Sequence, residues 1–372
     1  MYNVMQCNAR QLKDVLKLNY ELEIPTLIVG PPGIGKTDIV RQFAREVGLK
    51  MPDRPIILSG YQPEDLLGVP MPNKETGYLD YFLMKVFPAS HSEERWLLFF
   101  DEFTNCDKRL QAPLQQFFLY KELGDYKAPK HTYLVAAGNS VDDGCFAYEL
   151  SRALEDRFCI VSLQIDVDSW MDWALENQIH PSIISFIKTK PEFLHYSLTQ
   201  GKHYAEEDRV LPTPRAWGRF VDRYLKSSSS RTTKEICISG VVGAQVASMF
   251  FRVVDELETI PSPKEVIEAA KKKAQLKDFV PPTAVGLWSL AFSLLAYCQE
   301  LAHYEGLVKY LEYLTTLERT NLPVREVISL TTERALQDCR KKRFDRKKVV
   351  ELFRNLALRW KNDLSDILRE LQ

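Results

Sequence analysis

A glycine-rich octet at residues 30–37 constrains this chain more than any other feature. It fits the pattern G-x-x-x-x-G-K-[ST], follows an apolar run at 26–29 and precedes a segment, 38–47, whose apolar residues have helical spacing. A strand, a glycine-rich turn and a helix in this order bind phosphate through backbone N–H groups and the helix N-terminus. We therefore predict that the nucleotide is bound by Gly30, Pro31, Pro32, Gly33, Ile34, Gly35, Lys36, Thr37 and the following Asp38.

Two side chains of this loop carry the predicted chemistry. Lys36 can reach the β- and γ-phosphates of a nucleotide, and the hydroxyl of Thr37 can ligate Mg²⁺. Gly30, Gly33 and Gly35 let the backbone curl so that its N–H groups point inward. The sequence therefore predicts binding of a nucleotide together with Mg²⁺.

The first 165 residues contain five strand-like apolar runs, and helical or irregular stretches separate them. The runs are 26–29, 55–58, 96–100, 132–137 and 159–163. This alternation predicts an α/β fold with a parallel sheet covered by helices on both faces. Ligands of such sheets bind at the carboxyl ends of the strands. Polar residues that follow the runs are therefore the candidates for further chemistry.

Three such residues follow two of the runs. Asp101 and Glu102 end the run at 96–100, and Asn139 follows the run at 132–137. Asp101 can hold Mg²⁺ directly or through water, and Glu102 can act as the general base for an attacking water. The amide of Asn139 can hold that water or contact the γ-phosphate, although Gly138-Asn139 could also be an ordinary turn.

Two arginines are candidates for contact with phosphate. Arg157 precedes the last strand-like run, and its guanidinium could stabilise phosphoryl charge across a subunit interface, unless it only forms a surface salt bridge with a neighbouring acid. Arg215 lies in the first turn of a helix that Thr213 can cap, from which it could reach phosphate; it could also be an ordinary exposed arginine.

Composition and hydropathy limit the class of protein. The chain has 372 residues with a net charge of -1, so no overall charge attracts it to nucleic acid or membrane. Seven scattered cysteines without a C-x-x-C pair indicate free thiols in a reducing compartment. Residues 1–19 do not resemble a signal peptide, and the apolar run 284–298 is too short to span a bilayer. We expect a cytoplasmic protein without a membrane span.

The motifs together resemble the AAA+ ATPases, and within them the MoxR-like group, over roughly residues 20–225. Gly30–Thr37 is similar to the Walker A loop and Leu97–Glu102 to Walker B with its catalytic glutamate. Asn139 resembles sensor 1, Arg157 the arginine finger and Arg215 sensor 2. The lead-in to the finger departs from the usual pattern, so Arg152 is a second candidate.

This resemblance implies three regions and a ring. The regions are an α/β nucleotide-binding core at 1–165, an all-helical lid with sensor 2 at 166–256, and a helical C-terminal region at 257–372. Ring members of the family are commonly hexamers, with ATP between protomers and the arginine supplied by the neighbour. Residues 77–88 lie where such proteins carry a helical insert facing the pore.

The resemblance also implies a partner. MoxR-like proteins act as chaperone-like remodellers, often beside a protein with a von Willebrand factor A domain. The main alternative is a nucleic-acid motor or loader, for which the basic run 340–348 is the supporting patch. A small-molecule kinase and a scaffold that binds ATP without hydrolysis are further alternatives, and Glu102 argues against the scaffold.

Overall fold

The architecture comes from a computed structural model, which describes most of the chain. The described residues are 4–82, 86–139, 150–199, 209–272, 275–317, 321–342 and 344–359. They form two compact units, one within Met1–Ser169 and one within Trp170–Gln372. Residues 83–85 of the predicted insert, Arg343 of the basic run and the end of the predicted C-terminal region, 360–372, lie outside the described residues.

The first unit alternates strands and helices. Its elements are β1 Gln6–Cys7, α1 Ala9–Glu21, β2 Thr26–Val29, α2 Lys36–Val47, β3 Ile56–Ile57, α3 Pro63–Leu67, β4 Val69–Pro72, β5 Leu79–Phe82, β6 Trp96–Asp101, α4 Gln111–Tyr120, β7 Glu122–Leu123, β8 Tyr126–Lys127, β9 Thr132–Gly138, α5 Arg152–Glu155 and β10 Cys159–Leu163. Each of the five predicted runs coincides with one of these strands to within one residue at either end.

Six of these strands form one parallel sheet in the described part of the chain. Their order is β1-β10-β2-β9-β6-β3, and every neighbouring pair is parallel. Successive side chains of a strand point to opposite faces, so the apolar runs supply two cores. Phe100 belongs to an aromatic-rich core with α4, whereas Phe99 packs with α1 and α2 on the other face. The predicted fold class is confirmed.

Two parts of this unit were not predicted. The edge strand β1 and helix α1 lie in a segment whose polar composition hid them. Helix α1 begins at a capping box, in which Asn8 accepts from the backbone N–H of Gln11 and the Gln11 side chain accepts from that of Asn8.

The expected helical insert at 77–88 is wrong for its described residues. Strand β5, at Leu79–Phe82, lies in this range and pairs with β4 in an antiparallel hairpin. Asn73 and Gly77 explain the hairpin, because the Asn73 side chain accepts from two loop N–H groups and Gly77 has φ 75°.

The described residues of the second unit contain helices and loops but no strand. Its elements are α6 Val167–Glu176, which begins in the first unit, α7 Pro181–Thr189, a π-helical segment Ala216–Val221, α8 Asp222–Lys226, α9 Arg231–Val242, α10 Ala244–Glu258, α11 Pro263–Lys271, α12 Ala284–Tyr297, α13 Leu301–Leu314, α14 Val324–Lys341 and α15 Arg346–Arg359. The boundary predicted at 256/257 stays a prediction.

The apolar run 284–298 forms the central helix of the second unit. Most of α12 is buried, and it packs against α7, α11 and α14. Its fourteen residues are about 21 Å long at 1.5 Å per residue. Among the described helices, none is both long and apolar enough to cross a bilayer.

Candidate active site at the carboxyl ends of three strands

The glycine-rich octet forms the turn between β2 and α2. Gly33 has φ 77° and Gly35 has φ 99°, a region that other residues rarely adopt. Gly30 has no room for a side chain, because a Cβ there would lie 2.5 Å from the main-chain oxygen of Leu163. The loop conformation therefore depends on these three glycines.

The remaining predicted nucleotide-binding residues differ in their exposure to solvent. Pro31, Pro32 and Ile34 are half-buried in the loop, and Asp38 is exposed in the first turn of α2. An acidic residue in the first turn is favourable for the helix dipole.

Lys36 is held at the start of α2 by three acceptors. Its Nζ donates to the main-chain oxygens of Gly30 at 2.6 Å and Pro31 at 2.9 Å, and to Oδ1 of Asn139 at 2.9 Å. The residue is only 8% exposed. A buried ammonium group is costly unless its donors are satisfied, so these oxygens fix its position. The contact with Asn139 joins the loop to the end of β9.

Thr37 and Asp101 meet beside the loop. The Thr37 hydroxyl donates to Oδ2 of Asp101 at 2.8 Å. Hydroxyl and carboxylate oxygens are the ligand types that Mg²⁺ prefers. In the described ranges, no cluster of three or more His, Cys, Asp or Glu residues could hold a metal ion. A magnesium ion at Thr37 and Asp101 would therefore complete its coordination with phosphate oxygens and water, as is common for Mg²⁺.

Glu102 adopts an uncommon backbone conformation directly after β6. Its φ is 53°, in the left-handed region, and its N–H donates to Oδ1 of Asp101 at 3.0 Å. The hydroxyl of Ser59, which follows β3, donates to Oε2 of Glu102. Non-glycine residues in this region cost about 1 kcal/mol or more and cluster at functional sites. The backbone therefore turns at Glu102, and the Glu102 side chain is exposed to solvent.

The strand order explains why these residues meet. Strand β9 lies between β2 and β6, so Asn139 at its end is placed between the glycine-rich loop and the carboxylates. The structure thus brings together Lys36, Thr37, Asp101 and Asn139, with Glu102 next to them. The sequence alone predicted a common sheet edge but not the order of the strands along it.

Thr104 is a site residue that the sequence reasoning missed. Its hydroxyl lies 3.1 Å from both the backbone N–H and the backbone oxygen of Asn139. A hydroxyl can accept one bond and donate another, so both contacts form together. The only signal in the sequence is a hydroxyl residue two positions after the acidic pair.

The two candidates for the arginine finger, Arg157 and Arg152, lie around α5. Ser151 caps this helix, and its hydroxyl accepts from Nε2 of Gln115 at 2.9 Å, which ties α5 to α4. Nη1 of Arg157 donates to the main-chain oxygen of Ala153. Its Nε is buried and has no hydrogen-bond partner among the described residues. Arg152, at the start of α5, is exposed.

Arg215 belongs to the second unit. The predicted cap is present, because Thr213 Oγ1 accepts from the N–H of Ala216 at 3.1 Å. The turn leads into the π-helical segment Ala216–Val221, in which a Cβ on Gly218 would lie 2.6 Å from the ring of Trp173. The predicted contact of Arg215 with phosphate stays a prediction.

Comparison with known protein families identifies the domain that contains this site. Residues 25–158 match the family model of the AAA domain, dynein-related subfamily. The chain contains an AAA domain. The matched residues run from the residue before β2 to the residue after Arg157, so they include every site residue named above except Arg215.

Solved structures of more distant proteins are also similar to this chain. A protein of Cytophaga hutchinsonii described as an ATPase is 16% identical, with a TM-score of 0.33, 86% of this chain and 79% of that chain covered. A mutant of Thermotoga maritima RuvB is 15% identical, with a TM-score of 0.35 and coverages of 73% and 83%. NtrX of Brucella abortus is 12% identical, with a TM-score of 0.32 and coverages of 68% and 63%. These likenesses are too distant to indicate a function. No curated protein matches the chain.

Proposed function

We propose that this protein is a ring-forming, magnesium-dependent ATPase of the MoxR-like AAA+ type, which uses ATP hydrolysis to remodel a protein partner. The observation that carries the proposal is the meeting of Lys36, Thr37, Asp101 and Asn139 at the ends of three neighbouring strands. A phosphate loop, an oxygen pair for a cation and a polar amide at one edge are the parts that phosphoryl transfer needs.

Each residue would have a defined task. Lys36 exchanges its main-chain acceptors for phosphate oxygens, and the N–H groups of the loop bind the same phosphates. Thr37 and Asp101 would hold Mg²⁺, which supplies charge neutralisation on the phosphates. Glu102 orients and deprotonates the attacking water, and Asn139 donates its amide N–H groups to that water or to phosphate.

The arginines support a site shared between protomers. The Arg157 side chain folds onto the backbone of its own α5, and Arg152 points to solvent. A guanidinium that stabilises phosphoryl charge commonly comes from a neighbouring molecule. We propose that Arg157, or the alternative Arg152, serves the ATP site of the next protomer in a hexameric ring, and that Arg215 acts as the lid arginine.

The β4–β5 hairpin supports a polypeptide partner. Val69, Met71, Tyr78, Leu79 and Tyr81 are all more than 40% exposed on this short element. The strand register places Val69 and Met71 on one face of the hairpin and Leu79 and Tyr81 on the other, so both faces offer exposed apolar side chains to a polypeptide. The hairpin would contact the protein substrate, directly or beside an adaptor with a von Willebrand factor A domain.

The alternative of a nucleic-acid motor gains little from the basic run. Lys341 forms an ion pair with Glu176 at 2.6 Å, and Lys342 donates to the main-chain oxygen of Cys298 at 2.6 Å and to Tyr304 at 3.1 Å. These lysines are therefore used within the second unit. Salt-dependent binding of a DNA or RNA duplex at low ionic strength would favour the alternative.

A mixing experiment tests the shared site. Lys36→Ala removes ATP binding from one protomer, and Arg157→Ala removes the arginine that another protomer offers. Each variant alone is expected to hydrolyse ATP at the background rate. Mixed rings contain sites with an intact loop from one variant and an intact arginine from the other, so phosphate release should recover partly on mixing.

Arg152→Ala replaces Arg157→Ala in a parallel mixture and identifies which arginine acts between protomers. If neither mixture recovers any activity, although the wild-type protein hydrolyses ATP, the site is not shared. Affinity capture with Glu102→Gln in ATP should enrich a protein partner, and a monomer that captures none would contradict the remodelling proposal.

A further inference from the structure

The side chain of Thr104 is bonded to both backbone polar groups of Asn139. Its hydroxyl accepts from the N–H of Asn139 and donates to the main-chain oxygen, at 3.1 Å in each case. Thr104 is 4% exposed, so water competes little for these bonds. Asn139 lies one residue past the end of β9, where the pairing of the sheet has ended, and the Thr104 hydroxyl takes the place of a neighbouring strand as its hydrogen-bond partner.

The neighbouring glycine makes this contact possible. A Cβ on Gly138 would lie 2.5 Å from Cγ2 and 2.6 Å from Oγ1 of Thr104. Real Cβ atoms do not approach other atoms this closely, so any larger residue at this position would displace Thr104. The close packing of Thr104 on Gly138 and the two hydrogen bonds to Asn139 form one arrangement.

The other end of Asn139 is fixed by Lys36. A lysine can only donate, so the amide presents its Oδ1 to Nζ of Lys36, 2.9 Å away, and its NH₂ group points elsewhere. Thr104 holds the backbone of the residue and Lys36 holds the amide oxygen. With both anchors in place, the NH₂ donors of Asn139 keep one direction.

Thr104 also belongs to the segment of the acidic pair. It lies two residues after Glu102, in a single helical turn, Phe103–Asn105, that is closed by the N–H of Asn105 donating to the oxygen of Glu102 at 2.9 Å. Phe103 anchors this turn, because it is fully buried against Phe118 and Phe158. The turn is therefore a rigid support for the Thr104 hydroxyl.

We propose that Thr104 is a positioning residue, which sets the direction of the Asn139 amide toward the attacking water or the γ-phosphate. This inference rests on the proposed ATPase function, in which Asn139 makes that contact. A displacement of about 1 Å in a group that positions reactants can lower a rate on the order of a hundredfold.

The test uses Thr104→Val, which replaces the hydroxyl by a methyl group of similar size. We expect kcat for ATP hydrolysis to fall roughly tenfold to a hundredfold, while the Kd for a fluorescent ATP analogue and the KM change less than about threefold, because the phosphate loop is intact. Thr104→Ser keeps the hydroxyl and should restore most of kcat.

Thr132→Val is the matched control. Thr132 begins the same strand β9, is 3% exposed, and its Oγ1 has no hydrogen-bond partner among the described residues. Its substitution should leave kcat unchanged. The second test adds Thr104→Val to Asn139→Ala. If Thr104 acts through Asn139, the double variant should have the same kcat as Asn139→Ala alone.

The outcomes separate this inference from the proposed function. If the wild-type protein hydrolyses no ATP, the proposed function fails. If it does, and Thr104→Val keeps the wild-type kcat or lowers kcat further in the Asn139→Ala background, the inference is wrong. Should Thr104→Val unfold, as judged by circular dichroism, Thr104→Ala replaces it with the same expected loss of kcat. Unfolding of both, or a loss of kcat in Thr104→Ser equal to that in Thr104→Val, would show that the role is packing and would overturn the proposal.

Discussion

Replacing Glu102 with glutamine is the sharpest test of the chemistry at this site. Glutamine has the same length and can still accept the hydrogen bond from Ser59 through its amide oxygen. The backbone φ of 53° is retained, since glutamine and glutamate have similar backbone preferences. The substitution therefore removes the basicity of the side chain and little else.

The expected loss follows from the role of a general base. Proton transfer by a positioned side chain contributes roughly a hundredfold to ten-thousandfold in rate. At about 1.4 kcal/mol for each factor of ten, this corresponds to about 3–5 kcal/mol of barrier. The substitution leaves the hydrogen bonds of Lys36 to Gly30 and of Thr37 to Asp101 in place, so ATP affinity should change less than about threefold.

The chain offers a matched control for this substitution. Glu23 also has a left-handed backbone, with φ 57°, and its side chain is 69% exposed. It lies 3.7 Å from Nζ of Lys121, a surface pair worth about 0–1 kcal/mol. Glu23→Gln should leave both activity and the free energy of unfolding nearly unchanged. The assay is steady-state phosphate release together with fluorescence titration of an ATP analogue. A rate above a tenth of wild type in Glu102→Gln would refute the role of Glu102 as the base.

Three further changes have expected effects. Arg334→Met removes the ion pair with the carboxylate of Asp172, whose side chain is 11% exposed, and should lower the free energy of urea unfolding by about 1–3 kcal/mol; no measurable loss would contradict this. Burial raises the pKa of the Cys298 thiol from 9.0 to about 12, so it stays protonated in the folded state while the unfolded state loses its proton. The free energy of unfolding should therefore fall between about pH 9 and 12, by on the order of 1 kcal/mol per pH unit. Its fall with pH should be less steep in Cys298→Ala; the same dependence on pH in both proteins would count against this role of Cys298. Gly30→Ala should lower the free energy of unfolding by about 1–3 kcal/mol and weaken ATP binding, because the added Cβ meets a backbone oxygen of β10. Gly60→Ala should have neither effect, because the space around its added Cβ is open. Equal stabilities of the two variants would argue against the close contact at Gly30.

The fold was predictable where the sequence has long apolar runs. Strands β2, β6 and β9 are almost wholly buried, and such strands read as continuous apolar stretches. Strand β1 has two residues and gives no such run. The capping box at Asn8 and Gln11 was a readable signal for α1 that the polar composition concealed.

The site was predictable in its residue types but not in its contacts. The phosphate loop and the acidic pair are local in sequence, so a motif contains most of their geometry. The contact of Lys36 with Asn139 depends on β9 lying between β2 and β6, which no local pattern specifies. Thr104 can pack against β9 only because Gly138 has no side chain. In the sequence, Gly138 looks like part of a turn.

The two edges of the parallel sheet bear on how copies of this chain can associate. Both edge strands, β1 and β3, are only two residues long, whereas the interior strand β9 has seven. A short edge offers too few backbone groups for another strand to pair with. Lateral addition of strands, the route by which many buried sheets form fibrous aggregates, is therefore blocked at both sides. Copies of this chain that associate as proposed would therefore meet through side-chain surfaces and not through added strands.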